Sequence, residues 1–309
     1  MHPAFSVIFF TVAYGAGFGL FVLLYLADLF HLGGGLTPNA TALAGLLSLA
    51  LVGGGLLSST LHLANPKNAW RAFTRWRTSW LAREGVFAVG FFPFALAYLI
   101  LAWLDVARDL RLAFGFVAIL FAWATLFSTG MIYACLKTIR QWNTPLVPAA
   151  YMMLGHFSGA MFLLVVALYS GAQPVPYALL ALAFLIAAAF IKATYYFWVR
   201  QRYGSTINTA TGFTRGKVRL LDTGHTHDTF LTREFGFQVG VHKRLLLKVV
   251  FFVLAFAIPL VALAQGRALG LGSGAIALVC MLLGAVLERW LFFAEARHVV
   301  NLFHGAQRT

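Results

Sequence analysis

What this sequence has least of is charge. Only 10% of its 309 residues are charged, and only nine are Asp or Glu. Hydrophobic residues make up 61%, and mean hydropathy is +0.83. A soluble domain of this composition would have too few polar side chains to cover its outside, so lipid is the solvent that suits it. Cysteine is nearly absent too. Cys135 and Cys280 both fall in apolar stretches. Two thiols cannot hold a cubane iron–sulfur cluster, which needs about four thiolates, and they do not form a disulfide framework. A cleavable signal is missing as well. Met1–Phe5 has no cationic segment, and the apolar stretch after it is long enough to span a bilayer. No internal repeat and no linker divides the chain, which reads as a single membrane domain over 1–309.

What is present is a series of apolar runs of about 20 residues, the length that crosses the hydrocarbon layer as a helix. They lie near 5–28, 41–63, 85–104, 112–135, 147–169, 175–197, 246–265 and 272–294. The expected fold is therefore an all-α integral membrane protein, a bundle of about eight transmembrane helices. Gly15 and Gly19 stand at GxxxG spacing, and Gly53–Gly55 form a row. Small residues of this kind let helix backbones approach closely in lipid.

The net charge of +14 is distributed between these runs. Seventeen Lys and Arg fall on one side of the membrane, in 64–84, 136–146, 198–245 and the C-terminal tail. Arg108, Arg111 and Arg267 fall on the other. The positive-inside rule then places both termini and the loops 64–84 and 198–245 in the cytoplasm, in a multi-pass membrane protein. With no basic domain apart from the spans, the charge points to anionic lipid headgroups or an acidic partner rather than to nucleic acid.

Loop 64–84 has a pattern of its own. Asn65–Pro66 reads as an N-cap and a proline in the first helical position. Trp70, Phe73, Trp76 and Trp80 then recur at helical spacing while Arg71, Arg75 and Thr78 take another face. This predicts a short amphipathic helix lying in the interface. Loop 198–245 is the one large polar segment, too long for a simple connector, and is expected either to dock a cytoplasmic partner or to be a solvated loop. Its His225, His227 and Asp228 lack a third or fourth companion that would define a metal site.

Ionisable groups at the edge of a span are costly and by default functional. His62 ends the second span and Glu84 opens the third, and the loop between them returns the chain to the same face. A hydroquinone gives up two protons with two electrons. Histidine offers an acceptor that titrates near neutrality, and a partly buried carboxylate offers a proton route. The competing reading is a helix-end His and a Glu paired with Arg83. His156, deeper in the fifth span, leaves open a bis-histidine haem with His62. Lys192 reads as a snorkelling residue, and Glu288 and Arg289 as a structural pair with each other or with Glu295. A transporter is the reading from another class, but transporters commonly show repeats or midplane charges. A purely structural anchor is the remaining alternative.

Three stretches carry a resemblance: Leu61-His62-Leu63-Ala64-Asn65-Pro66-Lys67, Ala69-Trp70-Arg71-Ala72-Phe73, and Arg77-Thr78-Ser79-Trp80-Leu81-Ala82-Arg83-Glu84-Gly85. Together with Phe230–Phe237 and Glu288–Ala296 they resemble the DmsC family, the membrane anchors of dimethyl sulfoxide reductase-type molybdoenzymes. The resemblance implies a chain with no metal or haem of its own. It would bind ubiquinone or menaquinone and hold an iron–sulfur subunit with four clusters and a molybdopterin catalytic subunit. It also implies quinol-site roles for His62 and Glu84, with Arg71, Arg75, Arg77 and Arg83 as candidates for a headgroup contact or for docking. Dimethyl sulfoxide reductases of this family carry their catalytic subunits on the outer face. The similar sulfite dehydrogenase anchor, SoeC, holds its partners in the cytoplasm, where the charge count places the basic loops here. The expectation is therefore an anchor that passes electrons from sulfite oxidation to quinone.

Overall fold

The computed structural model describes residues 3–60, 65–201 and 204–309. Eight helices long and apolar enough to cross a membrane follow one another. They are α1 (Phe5–Leu29), α2 (Pro38–Thr60), α3 (Trp80–Leu104), α4 (Arg108–Ala134), α5 (Leu146–Tyr169) and α6 (Pro174–Gln201). Two short helices, α7 (Ile207–Thr211) and α8 (Phe230–Phe235), then precede the seventh span. That span is α9 (Val241–Phe252), continued through a π-helical turn, Val253–Ala257, into α10 (Ile258–Leu263). The wider turn sits just before Pro259, whose missing N–H and bulky ring would strain a regular α-helix. The eighth span is α11 (Leu271–Ala294). Among the described residues there is no strand, only two isolated bridges, Ile139 with His298 and Thr206 with Arg308.

Burial sorts the spans into a centre and a ring. In α1 and α5, 83% and 72% of the most apolar stretch is enclosed, against 28–39% in the other six. In lipid there is no hydrophobic force between helices, so the central pair must be held by close packing. The glycines supply it. Gly15 and Gly19 of α1 face Gly155 and Gly159 of α5, so close that a Cβ on Gly19 or Gly159 would overlap the other helix's backbone. Ser48 of α2 donates a hydrogen bond to the Gly17 carbonyl at 2.7 Å. Tyr14, Phe18 and Phe21 of α1 stack edge-on down to Phe91 of α3. In the Gly53–Gly55 row only Gly55 meets a neighbour, Tyr14 and the Phe10 carbonyl; a Cβ on Gly53 or Gly54 meets open space.

Several helices begin earlier than the hydropathy reading places them. α3 starts at Trp80, with the Ser79 hydroxyl capping Ala82 N–H at 3.4 Å, so Glu84 lies inside the helix rather than ahead of it. α4 starts at Arg108 and includes Arg111. Arg111 is not a free loop charge: it is buried against Asp28 of α1 at 2.9 Å, while Tyr98 donates to the same carboxylate at 3.0 Å. The interfacial segment is a 3-10 helix, Pro66–Arg75, and not an α-helix. Asn65 caps it through its backbone carbonyl, not its side chain, and Trp80 belongs to α3. Trp70, Phe73 and Trp76 are exposed along it.

The segment between α6 and α9 is ordered by its own hydrogen bonds. Thr206 with Thr209 and Thr229 with Thr232 form capping boxes at the two short helices. Asn208 binds the carbonyls of Phe213 and Gly216 and accepts from Val218 N–H. Asn301 donates to the Phe235 carbonyl and ties the segment to the C-terminal residues.

Replacing Gly19 by Val forces α1 and α5 apart at their closest point. The overlap is with backbone, so no rotamer relieves it, and overpacking of this kind costs about 1–3 kcal/mol or more. Gly19→Val is expected to lower the amount of folded protein in membranes several-fold, read by detergent-solubilised yield and thermal melting. Gly54→Val, which meets open space, should match wild type.

Candidate functional site

Glu84 is the centre of the site. It lies in the second turn of α3, 4% exposed, at the end of the bundle where α2 finishes and the 3-10 helix runs into α3. Thr129 of α4 donates to its Oε1 at 2.6 Å. The same hydroxyl also lies 2.9 Å from the Thr125 carbonyl. A hydroxyl has one proton. As a carboxylate, Glu84 takes that proton; as an acid, it donates to Thr129 Oγ1, which then turns its proton to Thr125. The contact survives in both protonation states. Tyr14 of α1 is fully buried beside Glu84 and Thr129. Its hydroxyl completes no well-formed hydrogen bond with the described residues.

Glu84 differs from the chain's other enclosed carboxylates in what surrounds it. Asp28 is paired with Arg111, Glu288 with Lys192 and Arg289, and Glu295 with Lys248 and Arg244. Among the described residues no cation pairs with Glu84. A buried acid supported by hydroxyls alone is free to gain and lose a proton without breaking an ion pair.

Arg83 does not serve as its counter-ion. It bends back, donating to the carbonyls of Trp76 at 3.0 Å and Arg77 at 2.7 Å, and lies over the Trp80 ring at 4.2 Å. That removes the reading in which Glu84 is held only by its neighbour. Arg71, Arg75 and Arg77 are exposed and, among the described residues, pair with no carboxylate; Arg71 and Arg77 lie over Trp70 and Trp76. They are not gathered on Glu84. His62 lies outside the described residues.

The other sequence candidates resolve into structure. His156 accepts from Trp123 Nε1 at Nε2, 2.9 Å away, and its Nδ1 reaches the Met152 carbonyl at 2.7 Å. The carbonyl partner assigns the proton to Nδ1. Both nitrogens are engaged, which leaves no lone pair for a haem iron. Lys192 does not snorkel: it is 1% exposed and bound to Glu288 Oε1 at 2.5 Å. Arg289 completes a buried group of three, 3.2 Å from Glu288 Oε2 and 3.7 Å above the Tyr151 ring. His225 hydrogen-bonds His304 at 3.0 Å. Among the described residues no three His, Cys, Asp or Glu gather as a metal site requires. Thr129 and Tyr14 are the site residues that sequence reading missed. A hydroxyl and a phenol within apolar runs carry no distinctive signal.

Residues 1–296 match the family described as DMSO reductase anchor subunit (DmsC). The chain belongs to that family. It is also 33% identical to a sulfite dehydrogenase subunit of Allochromatium vinosum, across 98% of this chain and 99% of that protein. This DmsC-family chain is thus a multi-span membrane anchor subunit of an oxidoreductase complex. Within the family frame, the buried group Lys192–Glu288–Arg289 is a fastening of α6 to α11, and Glu84 is the enclosed acid left over.

The two acids should respond differently to neutralisation. Glu288→Gln leaves two buried cations unbalanced, and breaking a buried ion pair costs about 3–5 kcal/mol. It should lower the melting temperature sharply in detergent. Glu84→Gln keeps a partner for Thr129 and should melt close to wild type. Equal destabilisation of the two would mean that Glu84 is structural.

Proposed function

We propose that this chain anchors a molybdoenzyme to the bacterial inner membrane and exchanges electrons with quinone at a site built on Glu84 and His62. The observation that carries this reading is Glu84: an enclosed acid that pairs with no cation among the described residues, one turn inside α3, beside an interfacial segment of exposed tryptophans. A quinone headgroup asks for hydrogen-bonding groups at its oxygens and an apolar surround. A carboxyl, a hydroxyl and a phenol from Glu84, Thr129 and Tyr14 fit that demand.

Bound quinone supplies a couple of two electrons and two protons. Glu84 accepts or returns one proton at its carboxyl, and Thr129 follows by turning its own between Glu84 and the Thr125 carbonyl. His62 serves as the second hydrogen-bonding group to the headgroup, as the family resemblance implies. Burial among α1, α3 and α4 keeps bulk water from the carboxyl. The exposed Arg71, Arg75 and Arg77 lie where a headgroup or a docked subunit would meet them.

The partners in this reading are an iron–sulfur subunit with four clusters and a molybdopterin catalytic subunit. An electron-transfer site must lie near the partner's cluster, so the subunits sit on the face nearest Glu84. The basic end of the bundle supports this. Residues 204–240 present Phe213, Leu221 and Phe230 exposed among basic residues, apolar side chains that a docked protein could cover. The excess of Lys and Arg there supports a cytoplasmic position for that face and both termini. Together with the similarity to a sulfite dehydrogenase subunit, this favours electron flow from cytoplasmic sulfite oxidation to ubiquinone or menaquinone. The family's own description supports a second reading, a dimethyl sulfoxide reductase anchor that oxidises menaquinol.

His62→Ala and Glu84→Gln are expected to lower quinone-linked turnover by about two orders of magnitude or more, in line with the loss of a positioned acid or base. The complex should stay assembled, with molybdenum and iron contents unchanged and clusters still reducible by the substrate. Normal quinone turnover in both variants would remove the site. A chain that purifies without iron or molybdenum would remove the anchor reading and make transport the function to test. Sulfite against dimethyl sulfoxide as the substrate that changes the cluster spectrum decides between the two electron directions.

A further inference from the structure

A groove of about 520 Å³ opens at the basic end between α6, α9 and the residues after α11. Its charge is unbalanced. Among the described residues Arg200, Arg244, Lys248, Arg297 and Arg308 line it with one acidic side chain, Glu295. That carboxylate is already committed, to Lys248 at 2.7 Å and Arg244 at 3.3 Å. Among the described residues Arg200, Arg297 and Arg308 form an ion pair with no acid. Arg297 is half-buried, and its guanidinium is pulled below the usual arginine range by burial and then by its neighbours Arg244 and Arg308. Like charges confined in a partly dry groove repel, and the arrangement gains stability from an anion. Guanidinium groups match the paired oxygens of a phosphate.

The walls say where that phosphate comes from. Phe197, 65% exposed, stands in the groove at the end of an outward stripe on α6 that continues through Phe190, Ile186 and Leu179. On the other side α9 turns Leu245 and Val249 outward below Arg244 and Lys248. The groove is therefore charged and borders exposed apolar stretches of α6 and α9, an arrangement that suits a molecule with an anionic head and long chains. Soluble phosphate uses only the charged part. An acidic protein surface would leave the apolar stretches uncovered.

We propose that this groove binds the phosphodiester of an anionic phospholipid, with its acyl chains lying along α6 and α9. Basic pockets between transmembrane helices favour such headgroups. The site stands apart from Glu84, and its test does not depend on quinone turnover.

The test is native mass spectrometry on the chain purified from membranes in mild detergent with whatever other proteins accompany it. The comparison is with Arg200→Gln/Arg308→Gln, two exposed positions whose change leaves the core intact. Wild type should retain one phosphatidylglycerol or cardiolipin through washing, and the double variant should retain it about tenfold less, as expected for two lost phosphate contacts. As a second measurement, phosphatidylglycerol added to phosphatidylcholine nanodiscs should raise the melting temperature of wild type and not of the variant. Equal retention by both proteins, or no retained lipid in wild type, would overturn the proposal. So would displacement of the bound species by inorganic phosphate as readily as by lipid. Loss of iron and molybdenum from the variant with lipid retention unchanged would instead make the groove a docking face for the partner proteins and likewise overturn it.

Discussion

The closest approach in the bundle, α1 against α5 at four glycines, is the constraint on which the other helices depend. Hydrocarbon surrounds Leu and Phe as well outside the protein as inside it, so association rests on contact distance and polar fastenings. With Gly15, Gly19, Gly155 and Gly159 at the crossing, two backbones meet so closely that a Cβ at Gly19 or Gly159 would hold them apart. That places α1 at the centre, where it contributes Tyr14 to the Glu84 site and Asp28 to the ion pair with Arg111. Both polar clusters touch the same central helix, one at Tyr14 and one at Asp28. A shift of α1 would therefore disturb both.

Within this frame charge is sorted by whether it has a partner. Lys192, Glu288 and Arg289 form one fastening, and Asp28, Arg111 and Asp105 another. Each crosses between spans, α6 to α11 and α1 to α4, where a polar link in lipid does what apolar packing does in water. The paired charges make weak evidence for chemistry, because ion-pair networks explain them completely. Among the described residues Glu84 has no such explanation, and neither do the unbalanced arginines of the rim groove. In the proposed reading the first exchanges a proton and the second binds an anion, because an enclosed acid and a crowded cation are relieved in opposite ways.

The eight spans were legible because hydropathy integrates over about 20 residues, and a few misplaced residues do not change the sum. The ends were less legible for the same reason. Arg83 and Glu84, or Arg108 and Arg111, lower a local average although all four sit inside helices. Aromatic residues at spacings of three and four fit a 3-10 as well as an α-helix over one or two turns, so the interfacial helix was readable and its type was not. Gly15 and Gly19 announced a close crossing but not its partner, since Gly155 and Gly159 carry the matching spacing without saying which helix they meet. Pairing information of this kind lies in the third dimension: Lys192 reads as a snorkelling cation until Glu288, 96 residues on, is found against it.

Glu84 itself was legible, as a carboxyl where a carboxyl is expensive. What made it a site was not. The sequence places Arg83 next to it and suggests an ion pair, yet backbone geometry wins. On a helix, adjacent residues point about 100° apart, so Arg83 faces the interfacial carbonyls while Glu84 faces inward to Thr129. The same rotation that denies Glu84 its neighbour's charge leaves it an enclosed acid with hydroxyl partners. A change that shifted the register of α3 by one residue would exchange the two roles, sending the arginine to the core and the acid to the rim. The spacing from Ser79, which fixes the helix start, is thus as much a part of the site as the carboxyl it positions.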